Sequence, residues 1–246
     1  MSERQAPPPP IDQPPPSRRR RGVIIVAIAL LIPIVSIVVC TGIFLQTRSW
    51  QSFHVGSGAM IPNLVVGDFF FVDRKAYLDG RSPQRGDIVL HYPPAHMFGG
   101  RPQAGRPAPF IKRVIGLPGD RVQLINGVPV LNGTPVVQEH LGSYSDATQP
   151  RSRGRLVREL LPGGASYQIL KISQNGPADN GPIFIVPAGA YFVVGDNRDD
   201  SLDSRMASGP GQPLGWYVPL ADITGRANYV YWSGFDRLGR IGMALK

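Results

Sequence analysis

The stretch "RVQLINGVPVLNGTPV", residues 121–136, decides the fold class. It holds two Asn-Gly pairs, Asn126-Gly127 and Asn132-Gly133, each set between short runs rich in Val, Ile and Leu. Asparagine and glycine tolerate the positive φ angles that two-residue hairpin turns demand, so each pair predicts a tight hairpin. Two hairpins in succession make a β-meander. Around them, "DFFFVDR" (68–74), "DIVLHY" (87–92), "FIKRVIG" (110–116), "SYQILKI" (166–172) and "GWYVPLADITGRANYVYW" (215–232) carry the β-branched and aromatic residues of strands. With 26 Pro and 29 Gly in 246 residues, turn-formers interrupt the apolar runs too often for long helices. A mainly β body is expected. Phe69, Phe70 and Phe71 read as strand residues of alternating burial. Residues 93–109, rich in Pro and Gly, read as a surface excursion, and the polar stretch at about 137–185 as a variable lobe. There is no internal repeat.

The first 46 residues differ in kind. Residues 1–17 contain seven prolines and almost nothing that could be buried, which predicts an extended, solvated tail. Residues 22–46, "GVIIVAIALLIPIVSIVVCTGIFLQ", carry no charge and exceed the roughly 20 residues that cross a bilayer as a helix. One transmembrane helix is expected, with Pro33 tolerated inside it. A cleaved leader fits poorly, because its apolar core would be only about 7 to 15 residues long. Four arginines at 18–21 flank one side and Arg48 the other, so the positive-inside rule puts residues 1–21 in the cytoplasm and 47–246 outside. The expected organisation is a tail (1–21), a span (22–46) and an extracytoplasmic β-rich domain (47–246).

The net charge of +9 divides into +3 before residue 22 and a diffuse +6 over the remainder. Without clustered basic and stacking aromatic residues, this is no nucleic-acid footprint. A single cysteine, Cys40, allows no internal disulfide, and four scattered histidines give no metal-ligand spacing. Neither metal nor cofactor is expected.

Four stretches carry the chemistry: "SGAMIPNL" (57–64), "GDIVLHYP" (86–93), "KRVIGLPGD" (112–120) and "GDNRDDSLDSR" (195–205). In type and order they resemble the motifs of the type I signal peptidases, membrane-anchored serine endopeptidases that remove signal peptides with a Ser-Lys dyad. The resemblance covers about residues 22–235 and implies a β-rich signal-peptidase-like catalytic domain after one membrane helix. It implies Lys112 as general base, Ser57 as an oxyanion donor beside the residue 59 N–H, Ser201 as the hydroxyl that orients the lysine, and Asp203 and Arg205 as braces. A serine hydroxyl needs a neighbouring base, and a lysine serves only when burial lowers its pKa; the apolar strand around Lys112 suits that. Met60 and Pro62 read as packing and loop-shaping residues.

The resemblance breaks at one position. Ala59 stands where the family has its nucleophilic serine, and Asn63 where it has threonine. Alanine has no group to attack a carbonyl. Ser57, about 6 to 7 Å away along an extended chain, is badly placed to substitute. Water activated by Lys112 would leave only residual acceleration, roughly 10³ to 10⁴ over water. The implied substrates are signal peptides of exported preproteins, with small residues before the cut. The implied place is the bacterial inner membrane, single-pass, in contact with the lipid bilayer and the secretion machinery. The alternative is a catalytically inactive pseudopeptidase that binds signal peptides or membrane-protein segments. An envelope scaffold recruited through the proline-rich tail is a third class with little support.

Overall fold

Both Asn-Gly turns form. In the computed structural model, Asn126 and Gly127 have φ of 50° and 79°, and Asn132 and Gly133 have 53° and 85°. These turns join β5 (Arg121–Ile125), β6 (Val128–Leu131) and β7 (Thr134–Pro135). The structure describes residues 18–47, 49–94, 108–207 and 214–245, with the side chains of 18–27 and 44–47 excepted. The expected tail at 1–17 and most of the expected excursion at 93–109 lie outside these.

The chain divides into two units, residues 1–48 and 49–246. The first contains α1, Arg18–Thr47, with Pro33 inside it. Residues 28–43 of α1, whose side chains are described, are all exposed, among them Leu30, Leu31, Ile37 and Val38. Among the described residues, no helix is long and apolar enough to cross a membrane. Both ends of the expected span, 22–27 and 44–46, fall where no side chains are described.

The second unit is mainly β. Its largest sheet is built from β1 (Trp50–His54), β2 (Phe69–Asp73), β3 (Ile88–His91), β4 (Phe110–Gly116), β12 (Ala190–Val194), β13 (Val218–Pro219) and β14 (Ile223–Trp232). The spatial order is β1-β2-β14-β3-β4-β12-β13, antiparallel throughout. β4 and β12 therefore lie in the interior of the sheet, and every residue of β12 is buried. In β2 only the alternate residues Phe70 and Val72 are buried, as expected of a strand with one face on the core. β11 (Phe184–Ile185) joins the meander, giving the order β11-β5-β6-β7. One core cluster lies between the meander and the large sheet, around Ile115, Leu124, Phe184 and Phe192.

The polar stretch at about 137–185 is more regular than its composition suggests. It contains β8 (Val137–Tyr144), β9 (Gly154–Leu160) and β10 (Ser166–Lys171), a three-stranded antiparallel sheet of which the sequence indicated only the last strand. β8 has no buried residue, and β9, GRLVREL, has no alternation of polar and apolar residues and buries the charged Glu159 beside Val157, so hydropathy hides both. The sheet is joined to the segment after β12 by backbone. Leu170 N–H donates to the Asp196 carbonyl at 2.9 Å, and Arg198 N–H donates to the Leu170 carbonyl at 3.0 Å. Beneath this join, the buried carboxylate of Glu159 on β9 takes a two-pronged bond from Arg198, at 2.7 and 2.5 Å, and a third bond from the Tyr167 hydroxyl at 2.8 Å.

Removing one partner of a buried ion pair leaves an uncompensated charge. Glu159→Ala is expected to destabilise the second unit by about 3–5 kcal/mol in urea unfolding. A loss below about 1 kcal/mol, the range of an exposed pair, would mean that the lobe is not integral to the domain.

Candidate active site

The site sits where three segments with no common secondary structure come together. The first is a short 3-10 turn, Gly58–Met60, entered from Ser57 in extended conformation. Because residues 58–60 turn, Ser57 and Ala59 are not neighbours along one face of a strand. The second is the loop 195–205 after β12. It holds the turn from behind: Asn197 N–H donates to the Ala59 carbonyl at 3.0 Å, and Asn197 Nδ2 donates to the Gly58 carbonyl at 3.1 Å. Gly195 makes this approach possible, since a Cβ there would meet both the Ser201 side chain and the Ala59 carbonyl oxygen. The third is the strand segment of β4 that carries Lys112, paired with Val89 of β3.

Lys112 and Ala59 line the same groove of about 550 Å³, together with Ser57, Phe53, Phe70 and Leu202. Lys112 is only 5% exposed. Its Nζ lies 5.4 Å from the centre of the Phe110 ring, and His91 meets that ring edge-on at 6.0 Å. Burial lowers the lysine pKa from 10.5 to about 8; Asp203, Asp196 and Asp200 pull the other way, and Arg205 works with burial. Among the described residues Lys112 forms no ion pair. A groove-facing lysine with a pKa near neutrality can accept a proton as well as donate one.

The carboxylates around the lysine are held by arginines. Asp203 is fully buried; burial would raise its pKa, but the two-pronged Arg205 bond, at 2.8 Å twice, and the Gly195 N–H, at 2.8 Å, hold it below the usual value. Asp196 is likewise fully buried and bonded twice by Arg113, at 2.7 and 2.8 Å. The Arg113 guanidinium lies over the Tyr167 ring at 3.9 Å. Asn63 Nδ2 donates to Asp196 Oδ2 at 2.7 Å and to the Gln168 carbonyl at 2.6 Å, so Asn63 joins the Ala59 loop to β10.

The structure brings Ala59, Lys112, Ser57, Ser201, Asp203 and Arg205 into one region, but not all into contact. Ser57 is exposed. Ser201 Oγ is buried with no hydrogen-bond partner, so no bond joins it to Lys112. Sequence reasoning missed Arg113, Asp196, Arg198 and Glu159 as members of the site's support. Arg113 could have been found, because a second cation beside Lys112 in an interior strand must point to the opposite face and find a carboxylate. Glu159 left no such signal. Among the described residues, no cluster of side chains could hold a metal ion.

Comparison with known proteins identifies the family of the chain. The model of the family "Signal peptidase, peptidase S26" matches residues 25–232. Signal peptidase I of Rickettsia akari (strain Hartford) is 28% identical over 221 residues, covering 80% of this chain and 76% of that protein. Signal peptidase I of Rickettsia typhi (strain ATCC VR-144 / Wilmington) is 29% identical, covering 80% and 77%. The crystal structure of a signal peptidase I from Enterococcus faecalis V583 shares 24% identity and superposes with a TM-score of 0.30, covering 59% of this chain and 96% of that one. The family match spans the turn at Ala59, Lys112 and the loop 195–205, and the chain belongs to the signal peptidase family, peptidase S26, as a type I signal peptidase.

Proposed function

We propose that this protein takes signal peptides of exported preproteins into the groove beside Lys112, and that the groove is a Ser-Lys proteolytic site complete except for its attacking hydroxyl. The observation that carries the reading is the buried Lys112, its pKa lowered to about 8, lining one groove with residue 59. In Ser-Lys cleavage, neutral Lys112 takes the proton of a residue 59 hydroxyl as its oxygen attacks the scissile carbonyl. The lysine ammonium then gives that proton to the leaving amine, and a water deprotonated by the same lysine hydrolyses the ester. The developing oxyanion has two donors in reach of this scheme. One is the Ser57 hydroxyl; the other is the residue 59 N–H, which the 3-10 turn leaves unused because its closing bond runs from Ile61 N–H to the Gly58 carbonyl. The orienting role that the family resemblance gives Ser201 needs a bond to Lys112 that this structure does not make, and Asp203 with Arg205 braces the loop that carries Ser201.

Ala59 removes the attacking atom but not the groove, the lysine or the backbone donor. As written, the protein therefore binds signal peptides and cleaves them only at the residual rate that water allows, which is the behaviour of a pseudopeptidase built on an intact site. Residues 22–46 anchor the domain in the bacterial inner membrane with residues 1–21 in the cytoplasm, so that the groove meets preproteins on the outer side. The support for this is the uncharged run of residues 22–46 beside four arginines.

Three outcomes are expected. Ala59→Ser raises kcat/KM on a preprotein with a small-x-small site by about 10³-fold or more over the unmodified chain. A correctly folded serine variant that does not cleave would overturn the reading. In the Ala59→Ser protein, activity rises with pH to a plateau above about 8, because the protonated lysine cannot accept a proton. A flat profile between about pH 6 and pH 9 would remove Lys112 from the role of base. Carbonate washing leaves the full chain in the membrane pellet; release into the supernatant would count against the anchor.

A further inference from the structure

The matched family region ends at residue 232, yet the residues that follow are built into the site's support. Residues 61–68, which run directly from the turn at Ala59, lie in no strand, so their carbonyls have no ladder to bond. The C-terminal segment supplies the donors instead. Arg240 Nη2 donates to the Asn63 carbonyl at 2.9 Å, and Nη1 reaches the Pro62 carbonyl at 3.5 Å. Arg237 Nη1 donates to the Val66 carbonyl at 3.2 Å.

Asp68 is the fixed point of this arrangement. Its carboxylate is fully buried. It accepts Arg240 Nη2 at 2.6 Å and Nε at 3.2 Å, the Val65 N–H at 2.9 Å, and the hydroxyl of Ser233. Its backbone carbonyl accepts the Val55 N–H at 2.8 Å, which ties the other end of the Ala59 loop to the same residue. Beyond Arg240 the chain returns along β14. Gly242 N–H donates to the Val230 carbonyl at 2.8 Å, and Leu245 N–H donates to the Asn228 carbonyl at 2.7 Å. Met243 and Leu245 pack on the core cluster that contains Met60 and Leu64. The segment is thus fastened on both sides of Arg240, and the guanidinium has little freedom to leave the loop.

We infer that Arg240, through its fork on Asp68 and on the carbonyls of residues 62 and 63, is a positioning residue that sets residue 59 against Lys112. It does not line the groove and touches no substrate. A planar fork suits the task, because one side chain must satisfy a carboxylate and two carbonyls together. A misplacement of about 1 Å at the reacting groups is enough to cost about a hundredfold in rate.

The kinetic part of the test rests on the proposed function; the structural part does not. In the full-length chain, solubilised in detergent, the substitutions are Arg240→Lys, Arg240→Gln and the pair Asp68→Asn with Arg240→Gln. The pair removes both charges together, so no buried carboxylate is left alone if the single variant fails to fold. In the Ala59→Ser background, the pair is expected to lower kcat at least tenfold with KM within twofold, and Arg240→Lys to recover part of the loss. In the unmodified Ala59 chain, hydrogen exchange of residues 59–68 is expected to quicken in the pair while β4 and β12 keep their protection. Unchanged kcat in a folded pair, or a loss that follows the unfolded fraction alone, would overturn the inference, as would unchanged exchange over residues 59–68. If Ala59→Ser itself fails to cleave, the proposed function falls, and the exchange result alone decides for or against the clamp.

Discussion

The structure depends on a set of buried ion pairs beneath the loop 195–205. Arg113 with Asp196, Arg198 with Glu159, and Asp203 with Arg205 are all nearly or wholly removed from solvent. Charges in such positions persist only when each is bonded at several points, and here every carboxylate has at least three donors. The array gives the loop one conformation. It does so by joining partners that lie far apart in the chain: β4, the lobe strands β9 and β10, and the loop itself. A polar lobe that looks dispensable by composition becomes part of the foundation.

That foundation explains how a lysine can stay buried with its pKa only partly lowered. Desolvation by Phe110 and the surrounding strands favours the neutral amine, whereas Asp196 and Asp203 favour the ammonium. Both carboxylates are already bonded to arginines, so their pull on Lys112 is blunted and burial prevails. Were either arginine absent, the nearby carboxylate would act on the lysine at closer to full strength. The same pairs that fix the loop therefore also tune Lys112.

The side chain of Ala59 takes no part in this framework. The turn Gly58–Met60 is held by backbone atoms, through Asn197 and the closing bond of the turn, and Asn63 secures the loop beyond it. None of these bonds uses the residue 59 side chain. A hydroxyl could be present or absent at this position with the same surroundings.

Much of this was legible in the sequence. The Asn-Gly pairs announced the meander, because only residues at ease with positive φ serve such turns; "FIKRVIG" announced β4, and "GDNRDDSLDSR" the charged loop. Lys112 and Ala59 were located by motif, since the order of short local patterns survives in a linear chain. The strands β8 and β9 were not legible, because their faces carry polar and basic residues whose burial depends on a distant partner. Nothing around Glu159 indicates that it will lie under Arg198, and nothing at Arg240 points to Asp68, 172 residues away. By itself the sequence determined the β class and the family, for these rest on local conformation and on the order of short motifs. Which charges pair, how far Lys112 is desolvated and what holds the Ala59 loop were decided by the tertiary structure alone, because burial and ion pairing are properties of groups that only folding brings together.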